Sequence, residues 1–313
     1  MLAESRELRT CPRIFTKMIV LAAWMGMFFL TSLPALSSQA VEKRQSAAAA
    51  DLDSLLKKMA DYCRKLENAA LDFICREEIA ERIDWTLDAR AAGLLSGSAD
   101  WTYLPRGGGA VRRYQRPAVT KNTYIYDYQC VRKERAIRET RTLLEENKKK
   151  KNEPNATLKT SNFVYGTPLL GPVGLFGERF QRDYDYKITG QDKIDRRPVI
   201  VIDAQPRADA PDAKNLFGKA WIDPATADIL KIEWSEKRVG RYEIFEKRGE
   251  SYKLKPRITI RSEFSAEKNG IRFPSKLSIE EAYVNERGRA VVRSETTVTY
   301  KDFKFFTVEV EIK

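Results

Sequence analysis

The chain contains no histidine. That single absence removes serine–histidine and cysteine–histidine nucleophile pairs and any zinc site built on imidazole. Acid–base work would then fall to carboxylates, and the best placed are Glu77 and Glu81. Alternation along "LDFICREEIAERIDW" puts both on one face of a strand with Phe73, Cys75, Ile79, Ile83 and Trp85. Four strand residues separate them by about 13 Å, beyond the roughly 5 to 9.5 Å spanned by a glycosidase pair. Ion pairing with a neighbouring arginine is the better reading, and a carboxylate-dependent hydrolase stays as an alternative. No catalytic residue, metal or cofactor is expected.

Sulfur offers the other chemistry. Three cysteines follow residue 40: Cys63, Cys75 and Cys130. They are too few for a four-cysteine zinc site and have no CxxC spacing, so a structural disulfide is the expected fate in an oxidising compartment. The chain runs on about 10 Å of helix from Cys63 and returns about 13 Å of strand to Cys75. We expect Cys63 to bridge Cys75, with Cys130 the rival partner.

The compartment is read from the N-terminus. Arg6, Arg9, Arg13 and Lys17 precede the apolar run at 18–30, and Ser38 and Ala40 supply small residues for cleavage. Residues 1–40 read as a secretory signal peptide. The competing reading, an uncleaved anchor, needs about 20 apolar residues. Either way residues 41–313 are exported, to the periplasm in the cleaved reading, and form a single domain. That part carries 52 basic and 42 acidic residues, a net +10. Lys and Arg alternate with Glu and Asp nearly everywhere, "NKKKKN" at 147–152 excepted, so a solvated basic surface is expected rather than nucleic-acid binding.

The elements that would position these groups are mostly strands. Leu52, Leu55, Leu56, Met59, Cys63, Leu66 and Ala70 recur at helical spacing, so an amphipathic helix begins near Asp51. Residues 86–121 suggest loops around a short strand at "WTYL". Beyond them about ten strands follow, joined by turns such as "DKIDR", "PATAD", "KNG" and "NERG". "GRYEIFEKR", "PRITIRSEFSAE" and "IRFPSKLSIEEAYV" are read as strands, as is the C-terminal "FTVEVEIK". Leu230, Ile232 and Trp234 share one face, and one helix cannot cover the whole apolar side of such a sheet. The segment "GTPLLGPVGLFG" at 166–177 is too rich in Gly and Pro for regular structure and too apolar for a solvated loop. It is expected to lie over the sheet, either as a plain core plug or as a lid above a ligand.

The leading helix, the meander, this mid-chain segment, the hairpin "GKAWIDPATADILKIEW" and the stretch "NGIRFPSKLSIEE" resemble the LolA-like superfamily of lipoprotein-localisation carriers over residues 51–312. The resemblance implies a mainly β fold, a highly twisted antiparallel meander forming an unclosed half-barrel with helices at its mouth. It also implies an envelope protein that holds lipid or lipoprotein acyl chains without catalysis, as a monomer. On that reading the cavity and lid comprise Phe73, Trp85, Leu170, Val173, Leu175, Phe176, Trp221, Leu230, Ile232 and Trp234. An envelope protein docking on an open sheet edge is the alternative partner.

Overall fold

The computed structural model describes residues 36–92, 119–133, 136–163, 165, 168–210 and 217–306. The expected signal peptide up to residue 35, the "WTYL" strand and residues 307–313 of the expected last strand lie outside them. The chain divides into two units, Met1–Ser46 and Ala47–Lys313. Helix α1, Leu36–Ala69, begins in the first, and every later element belongs to the second.

Strands dominate, as the alternation predicts. β1 (Phe73–Asp84), β2 (Val119–Lys133), β3 (Ala136–Glu146) and β4 (Lys149–Glu153) are followed by β5 (Tyr184–Ile194) and β6 (Arg197–Pro206). Then come β7 (Gly218–Ile222), β8 (Ile229–Trp234), β9 (Lys255–Glu263), β12 (Lys276–Val284) and β13 (Ala290–Phe305), with β10 (Ala266–Lys268) and β11 (Ile271–Phe273) forming a separate hairpin. The large antiparallel sheet has eleven strands in the order β4-β3-β2-β1-β13-β12-β9-β8-β7-β6-β5. Its outer strands β4 and β5 do not meet, so the barrel stays unclosed. Tight turns set the register: Asn147–Lys148 and Asp195–Arg196 both adopt positive φ, the conformation a two-residue hairpin loop demands.

One face of the sheet is dry. Along β1 every second residue from Phe73 to Ile83 is buried, Glu77 and Glu81 included. Helix α1 lays Leu55, Leu56, Met59, Cys63, Leu66 and Ala70 onto this core. The rest of the face is covered by the irregular stretch 154–163 and Tyr165, by α3 (Gly171–Phe176) and α4 (Glu178–Gln181), and by α5 (Glu243–Tyr252).

The sequence pattern misleads at three places. "GRYEIFEKR" lies largely in helix α5 rather than a strand. Tyr242 and Phe245 are three residues apart, and Phe245 stacks on Phe163 with ring centroids 5.5 Å apart. "IRFPSKLSIEEAYV" is two strands, because Pro274 between β11 and β12 cannot donate to a ladder. Leu230 does not share a face with Ile232: Trp221 and Ile222 are adjacent while their partners Lys231 and Ile229 are two residues apart, so Leu230 is the extra residue of a β-bulge.

Candidate functional site

From Pro168 onward the apolar mid-chain segment folds into a 3-10 turn, Pro168–Leu170, running straight into α3. Leu169, Val173, Leu175 and Phe176 are exposed by only 1%, 4%, 0% and 0%. Pro172 near the start of α3 suits a first turn whose amides need no partner. Gly171 lets the backbone lie on the Trp234 indole, where a Cβ would come 3.0 Å from the ring. Gly177 ends α3 with its amide on the Val173 carbonyl, and a Cβ there would fall 2.5 Å from that oxygen.

Polar bonds reach α3 from neighbouring elements. Neither end is capped by a side chain. Tyr186 donates its hydroxyl to the Leu175 carbonyl at 2.6 Å, and the Cys63 thiol lies 3.4 Å from the Pro172 carbonyl. Gln181 donates from one amide nitrogen to Phe176 O and to Leu56 O of α1, and Arg179 pairs with Glu67 at 3.1 Å. Apolar contact therefore does most to hold the helix in place. Four buried side chains contribute about 1.5–3 kcal/mol each, against about 1 kcal/mol for each neutral hydrogen bond.

Buried charge fills the rest of the dry face. Glu77 takes a bidentate pair from Arg141, at 2.7 and 3.1 Å, and hydroxyl bonds from Tyr165 and Tyr300. Burial alone would lower the Arg141 pKa, but the bonds and charge of Glu77 raise it. Glu81 accepts the backbone amides of Ser161 and Asn162 at 2.9 and 3.0 Å. Glu281 accepts from Arg293, Arg248, Asn162, Ser294 and Tyr283. Burial opposes its ionisation, yet Arg293, Tyr283, Asn162 and Arg248 hold its carboxyl below the usual range. All three carboxylates are thus occupied by donors and pin Ser161, Asn162 and Tyr165 across the sheet.

The sequence-read cavity residues scatter. Phe73, Val173, Leu175, Phe176, Ile232 and Trp234 belong to one core, with Leu170 packed against it. Trp234 donates its indole N–H to Ser262 Oγ at 2.8 Å. Trp221 and Leu230 sit in a second, small cluster with Val199, and the Lys231 ammonium lies 3.4 Å from the Trp221 ring centre. Trp85 joins neither core: it bonds Thr120 and lies under Arg293, 5.1 Å away. The expected disulfide is a correction. Cys63, Cys75 and Cys130 are separate buried thiols, because Cys63 is turned toward α3 while Cys75 sits opposite Tyr128. Of the buried polar residues, alternation singles out Glu77 and Glu81, and Glu77 has its arginine. It passes over Glu281, Arg293 and Asn162; an acid at an inward position of "KLSIEEAYV" is the one signal that points to them.

Two cavities of about 520 and 410 Å³ lie away from α3. One is bounded by α2 (Thr86–Ala91), the end of α5 and the β12–β13 turn, the other by the β5–β6 hairpin and Pro224. Among the described residues no helix is long and apolar enough to cross a membrane, and no cluster of three or more Cys, Asp or Glu is placed to hold a metal ion.

Fold and site define an open antiparallel half-barrel whose mouth is filled by its own leading helix and an apolar flap. Solved structures similar to the chain include a LolA superfamily protein from Nitrosomonas europaea, at 11% identity over 81% of this chain and 94% of that one, with a TM-score of 0.36. A DUF1329 family protein from Desulfovibrio piger matches at 11% over 80% and 92%, TM-score 0.34. A candidate outer membrane lipoprotein-sorting domain from Vibrio parahaemolyticus matches at 10% over 82% and 95%, TM-score 0.33. No protein-family model and no curated protein matches the chain.

Proposed function

We propose that the chain is an exported, non-catalytic binding protein for a long apolar chain, of the lipid or lipoprotein acyl type, and that the structure is its closed form. The ligand takes the place of α3, which serves as a displaceable plug rather than the roof of a standing cavity. One observation carries the reading: α3 is a six-residue apolar helix with buried Val173, Leu175 and Phe176 and no side-chain hydrogen bond from its cap residues Leu170 and Gly177. Lifting Leu169, Val173, Leu175 and Phe176 costs about 6–12 kcal/mol, which a ligand recovers at about 0.8 kcal/mol per methylene. Displacement therefore needs a chain of at least about eight to fifteen methylenes and excludes shorter ones. The occupied state of Glu77, Glu81 and Glu281 supports a non-catalytic role, since each would have to shed donors to move a proton.

Titration of the purified protein with palmitate and octanoate tests this. Palmitate is expected to bind and octanoate to fail. Equal affinities, or no binding by either, would sink the reading. Docking of an envelope protein on the eleven-residue outer strand β5 is the second reading. Asp185, Lys187, Asp192 and Lys193 along it are charges of the kind that guard an edge.

A further inference from the structure

We propose that the 520 Å³ cavity between α2, the end of α5 and the β12–β13 turn is a binding site for a phosphate group carried on a small apolar body. Three cations ring it, Arg90, Lys253 and Arg289, and among the described residues no carboxylate lines it. Among the described residues none of the three takes part in an ion pair. This sets them apart from Arg293 and Arg248, which are committed to Glu281. The nearest acid of α2, Asp88, is already held by Arg293 at 3.0 and 3.2 Å.

Cations near helix C-termini have an ordinary use, which is to offset the macrodipole. Here α2 and α5 both end at the cavity, each equivalent to about −0.5 charge. Two such ends cancel about one unit, so three cations leave the cavity net positive by about two. The α5 end is also satisfied internally: the amides of Lys253 and Leu254 bond Glu250 O and Gly249 O. Lys253 itself sits at φ +56°, the left-handed position that ends α5.

The remaining walls are part apolar and part polar, the polar part from Ser251, Tyr252 and Asn285. Leu87, Leu254 and Val291 line the same cavity, and Val291 is 41% exposed, one of the two large apolar side chains most open to solvent among the described residues. A bare anion would leave that surface wet. A phosphate on an alkyl or aryl body places its charge among the cations and its apolar part on Val291. None of the lining residues belongs to α1 or α3, so the site is independent of the acyl reading.

The test is calorimetric titration of the full-length protein with hexyl phosphate, hexylphosphocholine and inorganic phosphate. A hexyl chain is shorter than the displacement of α3 requires, which separates the two sites. Hexyl phosphate is expected to bind more tightly than either of the others, with affinity falling as salt rises. Each of Arg90→Gln, Lys253→Gln and Arg289→Gln should weaken it about two- to fivefold, and the triple variant by at least about tenfold. All three side chains are exposed, so folding is preserved. Val291→Asp adds a charge without touching the core and should weaken hexyl phosphate more than inorganic phosphate. Unchanged binding in the triple variant overturns the proposal. So does inorganic phosphate or hexylphosphocholine binding as tightly as hexyl phosphate.

Discussion

Glu77 and Glu281 show what a buried carboxylate needs. Each is fully buried, and each is tolerated because arginine and hydroxyl donors occupy its oxygens. Removing one partner is worse than never having had the pair. Arg141→Met should cost about 3–5 kcal/mol in urea denaturation, because it strands Glu77 in the core, while Arg141→Lys should recover part of that loss. Glu281 carries a pH signature. Its folded carboxyl lies below the ordinary 4.5, so its contribution is complete above that value and is lost as pH falls through the lower folded one. Glu281→Gln should therefore lower stability at neutral pH and flatten the acid limb below about pH 4.5, as followed by tryptophan fluorescence. The thiols give a third measurement at this scale. Burial pushes Cys63 and Cys75 far up, and Cys130 to about 11, with Tyr128 opposing burial there and Glu139 adding to it. Iodoacetamide at pH 8 should leave all three unlabelled in the native protein and label all three in denaturant without reductant. A single label in denaturant would restore the disulfide.

Helix α3 is the element on which the function turns, and Gly177 is the place to perturb it. An added methyl would press on the Val173 carbonyl, so Gly177→Ala should loosen the docked flap. If α3 is a displaceable plug, a weaker closed state raises the apparent affinity for palmitate several-fold, since the open fraction rises. A plain core segment would lose stability and gain no binding. The converse variant, Pro172→Cys, offers a partner to Cys63, whose sulfur already lies 3.4 Å from the Pro172 carbonyl. Oxidation should abolish palmitate binding and dithiothreitol should restore it; indifference to redox state would rule out movement of α3. Composition alone makes this element visible in the sequence, because Gly and Pro among large apolar residues fit neither a solvated loop nor a strand. Composition leaves plug and lid undecided, since both bury the same side chains.

At the scale of the whole sheet, alternation is a reliable guide wherever strands run unbroken. The inward set of β1 and the apolar stripe of α1 are both readable. It fails where one residue interrupts the period. The bulge at Leu230 turns that residue away from Ile232 and into the cluster of Trp221, and nothing in "DILKIEW" marks it. Helix α5 is hidden because Tyr242, Ile244 and Glu246 alternate as plausibly as Tyr242 and Phe245 recur at helical spacing. The cover over the sheet is the largest omission: Ser161 and Asn162 close the face by giving amides to Glu81 and a side chain to Glu281, contacts between segments about 80 and 120 residues apart.

The pairing of β1 with β13 at the heart of the sheet has a temporal consequence. Phe73 opposes Phe305 and Ile83 opposes Ser294, so the earliest strand made must wait for the latest before its second edge is satisfied. Closing a loop of more than two hundred residues is slow relative to local hairpins. During synthesis the growing polypeptide holds two half-sheets that cannot yet join, with Glu77 and Tyr300 still on opposite sides of the gap. A ribosome-bound chain halted before residue 290 should remain sensitive to protease throughout β1, and release of the full length should confer resistance in one step.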